Sequence, residues 1–278
     1  MRLKDRRVLL TGASGGIGRE LAFELARNGA SLLLSGRRAQ VLDEVASSIV
    51  ASGGNASILP SDLTKPGAAQ ALIDRASAGG EPIDAVISCA GVSYFGLFEE
   101  QPPEELECLW QTNVLAPMHL VQAALPVLKA QKSGLIVNVG SIFGSIGFPC
   151  FAAYSASKFA LRGFSEALRR ELLGSGIDVL YVAPRYTRTA INEGAVSRMA
   201  EAVAMKQDQP QAVARTIVAA MLANKRERFF GWPERFFVRL NGLFPRLVDK
   251  GLRTQGERMR AFAPSPQLSK PEDRSHAA

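Results

Sequence analysis

Six short apolar runs punctuate the first 230 residues: RVLL (7–10), SLLLS (31–35), ASIL (56–59), DAVIS (84–88), GLIVNVG (134–140) and IDVLYVA (177–183). None alternates apolar with polar positions. A strand with one wet face would alternate, so unbroken runs argue for strands buried on both faces, as in a parallel sheet covered by helices. The segments between them, such as GRELAFELARNGA (18–30), RAQVLDEVASSIVASGG (38–54) and PPEELECLWQTNVLAPMHLVQAALPVLKAQ (102–131), space their apolar residues at the helical period. Gly29 is a natural stop for the first of these. Strand and helix in alternation predict an α/β fold, a doubly wound parallel sheet with helices on both faces.

Composition adds bounds. The 278 residues are 47% hydrophobic, ample for the core of one α/β domain. Lys and Arg outnumber Asp and Glu by 33 to 26, and the surplus is read as that of a soluble enzyme that binds phosphates, with no nucleic-acid module. Cys89, Cys108 and Cys150 lie far apart without CxxC spacing, which predicts reduced thiols in a cytoplasmic protein. With only His119 and His276 present, a histidine metal cage and a Ser-His-Asp triad are both excluded, and no metal is expected. No apolar run is long enough for a membrane-spanning helix, and MRLKDRRVLLTG lacks the apolar stretch of a signal peptide.

Between the first strand and first helix stands TGASGGIG (11–18). Glycines there permit a tight turn and close approach of backbone to a pyrophosphate, while the helix N-terminus offers free N–H groups to that anion. Gly12, Ser14, Gly16, Ile17 and Gly18 are therefore assigned to nucleotide binding. The second strand ends in SGRR (35–38), where a site for an unphosphorylated ribose usually carries an acid. Arginines suit a 2′-phosphate instead, so NADP(H) is preferred over NAD(H). Arg37 is favoured for that contact, with Arg38 left free to face water. After the third strand, Asp62 and Leu63 are placed beside the adenine.

Read in order, TGASGGIG, SDL (61–63), CAG (89–91), Asn113 in TNVLA, Ser141 in VGS and YSASK (154–158) resemble the short-chain dehydrogenase/reductase family, in its shorter single-domain branch. The resemblance covers about residues 5–230 and implies a Rossmann-type fold. It assigns catalysis to Asn113, Ser141, Tyr154 and Lys158, with Tyr154 the proton donor and Ser141 a hydrogen-bond partner of the substrate oxygen. Lys158 would hold the nicotinamide ribose, and Asn113 would position a water in a proton relay. Ala90, Gly91, Thr187 and Thr189 join the cofactor set, together with Asn113, Tyr154 and Lys158. The chemistry agrees: Tyr154 and Lys158 at i and i+4 share a helix face. A nearby ammonium is expected to lower a phenol pKa that is otherwise about 10. Two positions depart from the family pattern, Cys89 where Asn is usual and Arg185 where Gly is usual. Arg185 is expected to narrow the pocket, to favour an anionic substrate, or to face outward.

The expected function is NADP(H)-dependent reduction of a carbonyl to an alcohol, on an apolar ketone, aldehyde or acyl chain, because IFGSIGFPCF (142–151) is rich in phenylalanine. The alternative is a non-catalytic NADP-binding sensor or scaffold of the same fold. The expected division is a catalytic body at 1–230, a basic and aromatic extension at 231–262, and a disordered tail at 263–278. Residues 226–253 interleave arginine with phenylalanine, tryptophan and leucine. Three uses stand open for them: peripheral contact with the inner face of a membrane, cover for the pocket mouth, or packing on the body or a partner subunit. Self-association into a homo-oligomer is also expected.

Overall fold

The computed structural model describes residues 2–263, so the tail expected to be disordered lies, from residue 264 on, outside the described residues. The chain starts with β1 (Arg7–Thr11), α1 (Gly16–Arg27), β2 (Ser31–Ser35), α2 (Ala39–Ala51) and β3 (Asn55–Ile58). It crosses back through α3 (Ala68–Ala76) to β4 (Ala85–Ser88). Then come α4 (Pro103–Trp110), α5 (Ala116–Gln131), β5 (Gly134–Val139), α6 (Ala152–Glu171) and β6 (Ile177–Ala183). The sheet has seven strands in the order β3-β2-β1-β4-β5-β6-β7, every neighbouring pair parallel.

Successive side chains of a central strand enter different cores, which explains why those strands do not alternate apolar with polar; the edge strand β3, NASI, does alternate, with Asn55 and Ser57 exposed. Val8 and Leu10 of β1 join the core under α1 and α2, while Leu9 joins the core under α3 and α5. Leu32 and Leu34 against Leu33, and Ala85 and Ile87 against Val86, repeat the division. Both faces of these central strands are dry, so both need apolar residues. Fully burying one leucine contributes about 1.5–3 kcal/mol.

Two departures from the expected elements matter for the site. The long helix expected at 102–131 is broken by a π-helical turn over Gln111–Leu115, where the Ala116 N–H reaches back to the Gln111 carbonyl. Pro117 supplies the reason: it has no N–H to donate to the carbonyl of residue 113. A seventh strand, β7 (Glu227–Phe229), also escaped the pattern. Its three residues, ERF, carry no apolar run, and it is stitched to β6 on either side by Tyr181 N–H to Arg226 O and Phe230 N–H to Ala183 O.

The chain between β6 and β7 forms α7 (Ala195–Ala202) and α8 (Pro210–Leu222), and the end forms the pair α9 (Trp232–Leu243) and α10 (Pro245–Arg260). Val238 and Val248 of that pair are buried against Ile142, Ile146 and Tyr181, and Met259 is buried with Phe151 and Met199. The extension therefore packs on the body. No helix among the described residues is long and apolar enough to cross a membrane.

Candidate active site

Strands β1, β2 and β3 run to one side of the sheet and β4 to β7 to the other. The crevice lies where that order reverses, at the carboxyl ends of β1 and β4. One cavity opens there, and it is lined by every residue assigned from the sequence except Asn113.

Its first wall is the glycine turn. Gly12 lies in the left-handed region (φ 70°), and a Cβ on it would come within 2.6 Å of the Ala90 nitrogen. A Cβ on Gly18 would sit on the carbonyl oxygen of Gly12, so α1 can pack this close to β1 only with glycine there. The helix begins with no side-chain cap and no acid in its first turn, leaving its N–H groups and positive dipole end to an anion from outside. Thr11 fastens the turn's base to β4: its Oγ1 donates to the Ile87 carbonyl and accepts from the Cys89 N–H, both at 3.2 Å. Cys89 is half-buried on the cavity wall, and desolvation pushes its thiol up to about 12, against the pull of Lys158.

At the end of β2, Arg37 is exposed on the cavity rim. Arg38 does not face water. It turns inward and donates from Nη2 to the Ser14 carbonyl at 3.0 Å, bracing the glycine turn, because that carbonyl lies within reach of its half-buried side chain. Asp62 accepts from both the N–H and the hydroxyl of Thr64, at 3.1 and 2.7 Å. Partial burial opposes its ionisation, but Thr64, Arg37 and Lys65 together hold the carboxyl below its usual range.

The second wall carries the polar cluster. Ser141 follows β5 and starts a short turn, its Oγ accepting from the Phe143 N–H at 3.1 Å. Tyr181 of β6 donates to the Ser141 carbonyl at 3.3 Å and fixes the turn from behind. The Ser141 hydroxyl stands close enough to Tyr154 to favour its phenolate form. Lys158, one turn along α6, is 5% exposed; its Nζ donates to the Val139 carbonyl at 3.4 Å and lies 5.7 Å from the Tyr154 ring centre.

The lowered phenol pKa expected from the sequence is not what this arrangement gives. Burial pushes Tyr154 up to about 12, opposed only by the nearby Ser141 hydroxyl, and burial brings Lys158 down to about 8. Desolvation of the two side chains outweighs their proximity.

Asn113 stands behind this wall on the π-helical turn, 1% exposed. Its Oδ1 accepts from the Val92 N–H, and its Nδ2 donates to the Val92 carbonyl, both at 2.9 Å, and to Ser157 Oγ at 3.1 Å. Ser157 in turn donates to the Tyr154 carbonyl at 2.7 Å. The amide thus ties the loop after β4 to the helix bearing Tyr154 and Lys158.

The third wall follows β6. Thr187 Oγ1 donates to the Arg185 carbonyl, and the Thr189 methyl would be 3.2 Å from a Cβ on Gly16, so this segment closes against the glycine turn. Arg185 neither faces outward nor offers a free charge to substrate. Nε and Nη2 grip Asp208 at 2.9 and 2.8 Å, and Nη1 donates to Glu234 of α9 at 3.1 Å. Sequence reasoning missed these partners, along with Val196, Met199 and Met205, which line the apolar end of the cavity beside Phe143 and Phe151. The methionines lie in no motif: Met199 falls on α7 and Met205 beyond its end.

Residues 6–200 match the profile of the short chain dehydrogenase family. Hydroxysteroid 11-beta-dehydrogenase 1-like protein A of Xenopus laevis is 35% identical over 254 residues, 89% of this chain and 86% of that protein. A 3-oxoacyl (acyl-carrier-protein) reductase from Agrobacterium tumefaciens with NADP bound superposes with a TM-score of 0.75 at 27% identity, over 82% of this chain and 93% of that one. A short chain dehydrogenase/reductase from Burkholderia phymatum in complex with NAD shares the fold at 22% identity (TM-score 0.82, 89% of this chain and 96% of that one). The chain belongs to the short-chain dehydrogenase/reductase family, and it is an oxidoreductase that uses a nicotinamide cofactor.

Proposed function

We propose that this protein uses NADP(H) to reduce an apolar carbonyl compound, with Tyr154 as proton donor. One observation carries the reading: Tyr154 and Ser141 line one cavity with the buried Lys158 a helical turn from the tyrosine, whose phenol is protonated at neutral pH as a free tyrosine's is. A protonated phenol is an acid, and reduction is the direction that needs one. Ser141 Oγ accepts from Phe143 N–H through a lone pair, so its hydroxyl hydrogen can turn from Tyr154 to a substrate oxygen.

The glycine turn supports a dinucleotide: with no room for a Cβ at Gly12 or Gly18, the turn stays tight and the uncapped start of α1 lies close to the end of β1. When bound, the cofactor supplies the hydride. Ser141 orients the substrate oxygen, and Tyr154 gives it a proton. Lys158, protonated at neutral pH and close by, steadies the negative charge left on the phenol. Asn113 has both ends of its amide engaged, so a relay water would rest on its backbone carbonyl, which Pro117 deprives of the usual helical donor. Arg37 on the rim supports the choice of NADP(H), with no acid at the end of β2 to meet a ribose hydroxyl. Apolar residues Phe143, Phe151, Val196, Met199 and Met205 support a hydrophobic ketone, aldehyde or acyl chain; the relatives named for hydroxysteroids and 3-oxoacyl groups act on substrates of that character. Peripheral membrane contact through residues 226–253 belongs to the same reading, since an apolar substrate partitions into bilayers.

The test is NADPH consumption measured against panels of aldehydes, aliphatic and aromatic ketones, and 3-oxoacyl thioesters. Tyr154→Phe should lower turnover of the best substrate roughly a hundred- to ten-thousand-fold, with cofactor affinity unchanged. Undiminished turnover in that variant would remove Tyr154 from the chemistry.

A further inference from the structure

Helix α9 is amphipathic in the wrong sense for a helix seated on a core. Trp232, Phe236 and Leu243 fall on one stripe, at i, i+4 and i+11, and are 78%, 54% and 73% exposed, while Val238 on the opposite side is the buried residue. Phe244 and Leu247, at the corner where α9 meets α10, extend the apolar surface and are more than half exposed. Beside this stripe runs a cleft between α6, β7 and α9, lined by Arg162, Lys225, Arg228, Arg235 and Arg239. Its one carboxylate, Glu227, is paired with Arg169. Arg162 Nε is buried without a hydrogen-bond partner. A cleft with five cations, flanked by a row of exposed aromatic and leucine side chains, has two chemistries side by side: anion capture and apolar insertion.

We infer that this cleft is a headgroup site, and that α9 and α10 dock the enzyme on an anionic phospholipid bilayer with the Trp232–Phe236–Leu243 stripe in the interface. The inference rests on the peripheral contact proposed above and gives it an address. Charge complementarity selects the occupant. Residues 225–253 hold eight Lys and Arg against three acids, and two of those acids, Glu227 and Glu234, already pair with arginines outside the segment. Two copies meeting through this face would bring like charges together, whereas a bilayer carrying phosphatidylserine or phosphatidic acid offers the opposite sign and an apolar interior.

Flotation of the full chain with vesicles tests this. Phosphatidylcholine alone should leave the protein behind, and phosphatidylcholine with phosphatidylserine or phosphatidic acid should carry it, less so in high salt. The double variant R235Q/R239Q should lose binding to anionic vesicles roughly 30-fold, and W232S/F236S should lose it as well, with melting temperatures showing that both fold. If wild type floats equally with all vesicles, or R235Q/R239Q floats as wild type does, the headgroup site is wrong while membrane contact stands. If wild type floats with none, both ideas fail. Sedimentation showing a dimer that W232S/F236S dissociates, without vesicle binding, assigns the face to a second copy and overturns the inference.

Discussion

Tyr154 and Lys158 show how burial can overrule proximity. The i, i+4 spacing was readable in YSASK, but the pKa of either group depends on how much protein closes over it, and that is set by β5, β6 and α6 together. The pH dependence of stability reports it directly. Burial brings Lys158 down to about 8 in the folded enzyme, against 10.5 for an ordinary lysine. Between those values the unfolded chain binds the extra proton, so stability rises with pH across that window. The penalty is fully present below 8 and gone above 10.5. Thermal melts should therefore show wild type gaining on Lys158→Met as pH climbs from 8 towards 10.5; a constant difference would contradict the buried ammonium. At Arg37, loss of a charge-assisted contact of about 1.5–3 kcal/mol predicts that Arg37→Ala weakens NADPH binding roughly 10- to 100-fold. NADH binding should be unaltered. Parallel titrations of both cofactors check this, and equal losses would retire the 2′-phosphate assignment.

At the scale of elements, most of the fold was legible because the strands needed apolar residues on both sides. Leu9 and Leu10 look alike in sequence, yet they serve opposite cores. What stayed hidden is instructive. Strand β7 is held by backbone hydrogen bonds from β6 and owes nothing to a pattern of its own. The π-helical turn reads as ordinary helix unless Pro117 is asked which carbonyl it leaves unpaired. The glycine turn was the most readable part of the site, since its constraints are local. Gly18→Ala tests it: the added methyl collides with the Gly12 carbonyl, so the turn must open. The expected outcome is a loss of about 2 kcal/mol in stability, within the range for overpacked sites. Cofactor affinity should fall more than tenfold, measured by calorimetry and melting.

The whole molecule shows where sequence reading stopped. Arg185 could be flagged as a departure from the family pattern, but its partners Asp208 and Glu234 are 23 and 49 residues away. Only the folded chain brings them together. The three side chains join the segment after β6, the approach to α8 and the start of α9, with the arginine about one-fifth exposed. Asp208→Asn breaks the bidentate grip and leaves the guanidinium half-paired, for an expected cost of about 1–2 kcal/mol. The apparent KM for substrate should rise as the wall loosens. Melting and steady-state kinetics check this, and an unchanged KM would show that the ion pairs serve stability alone.

One further consequence concerns how the chain is born. Met259 and Phe262, near its end, pack with Phe151 and Met199 at the apolar end of the cavity. The ribosome has therefore delivered the glycine turn, the tyrosine and the lysine long before the packing behind Phe151 and Met199 exists. Translation that stops after β7, or a protease that nicks the α9–α10 corner, leaves a molecule with every cavity-lining residue present but without the side chains that back Phe151 and Met199.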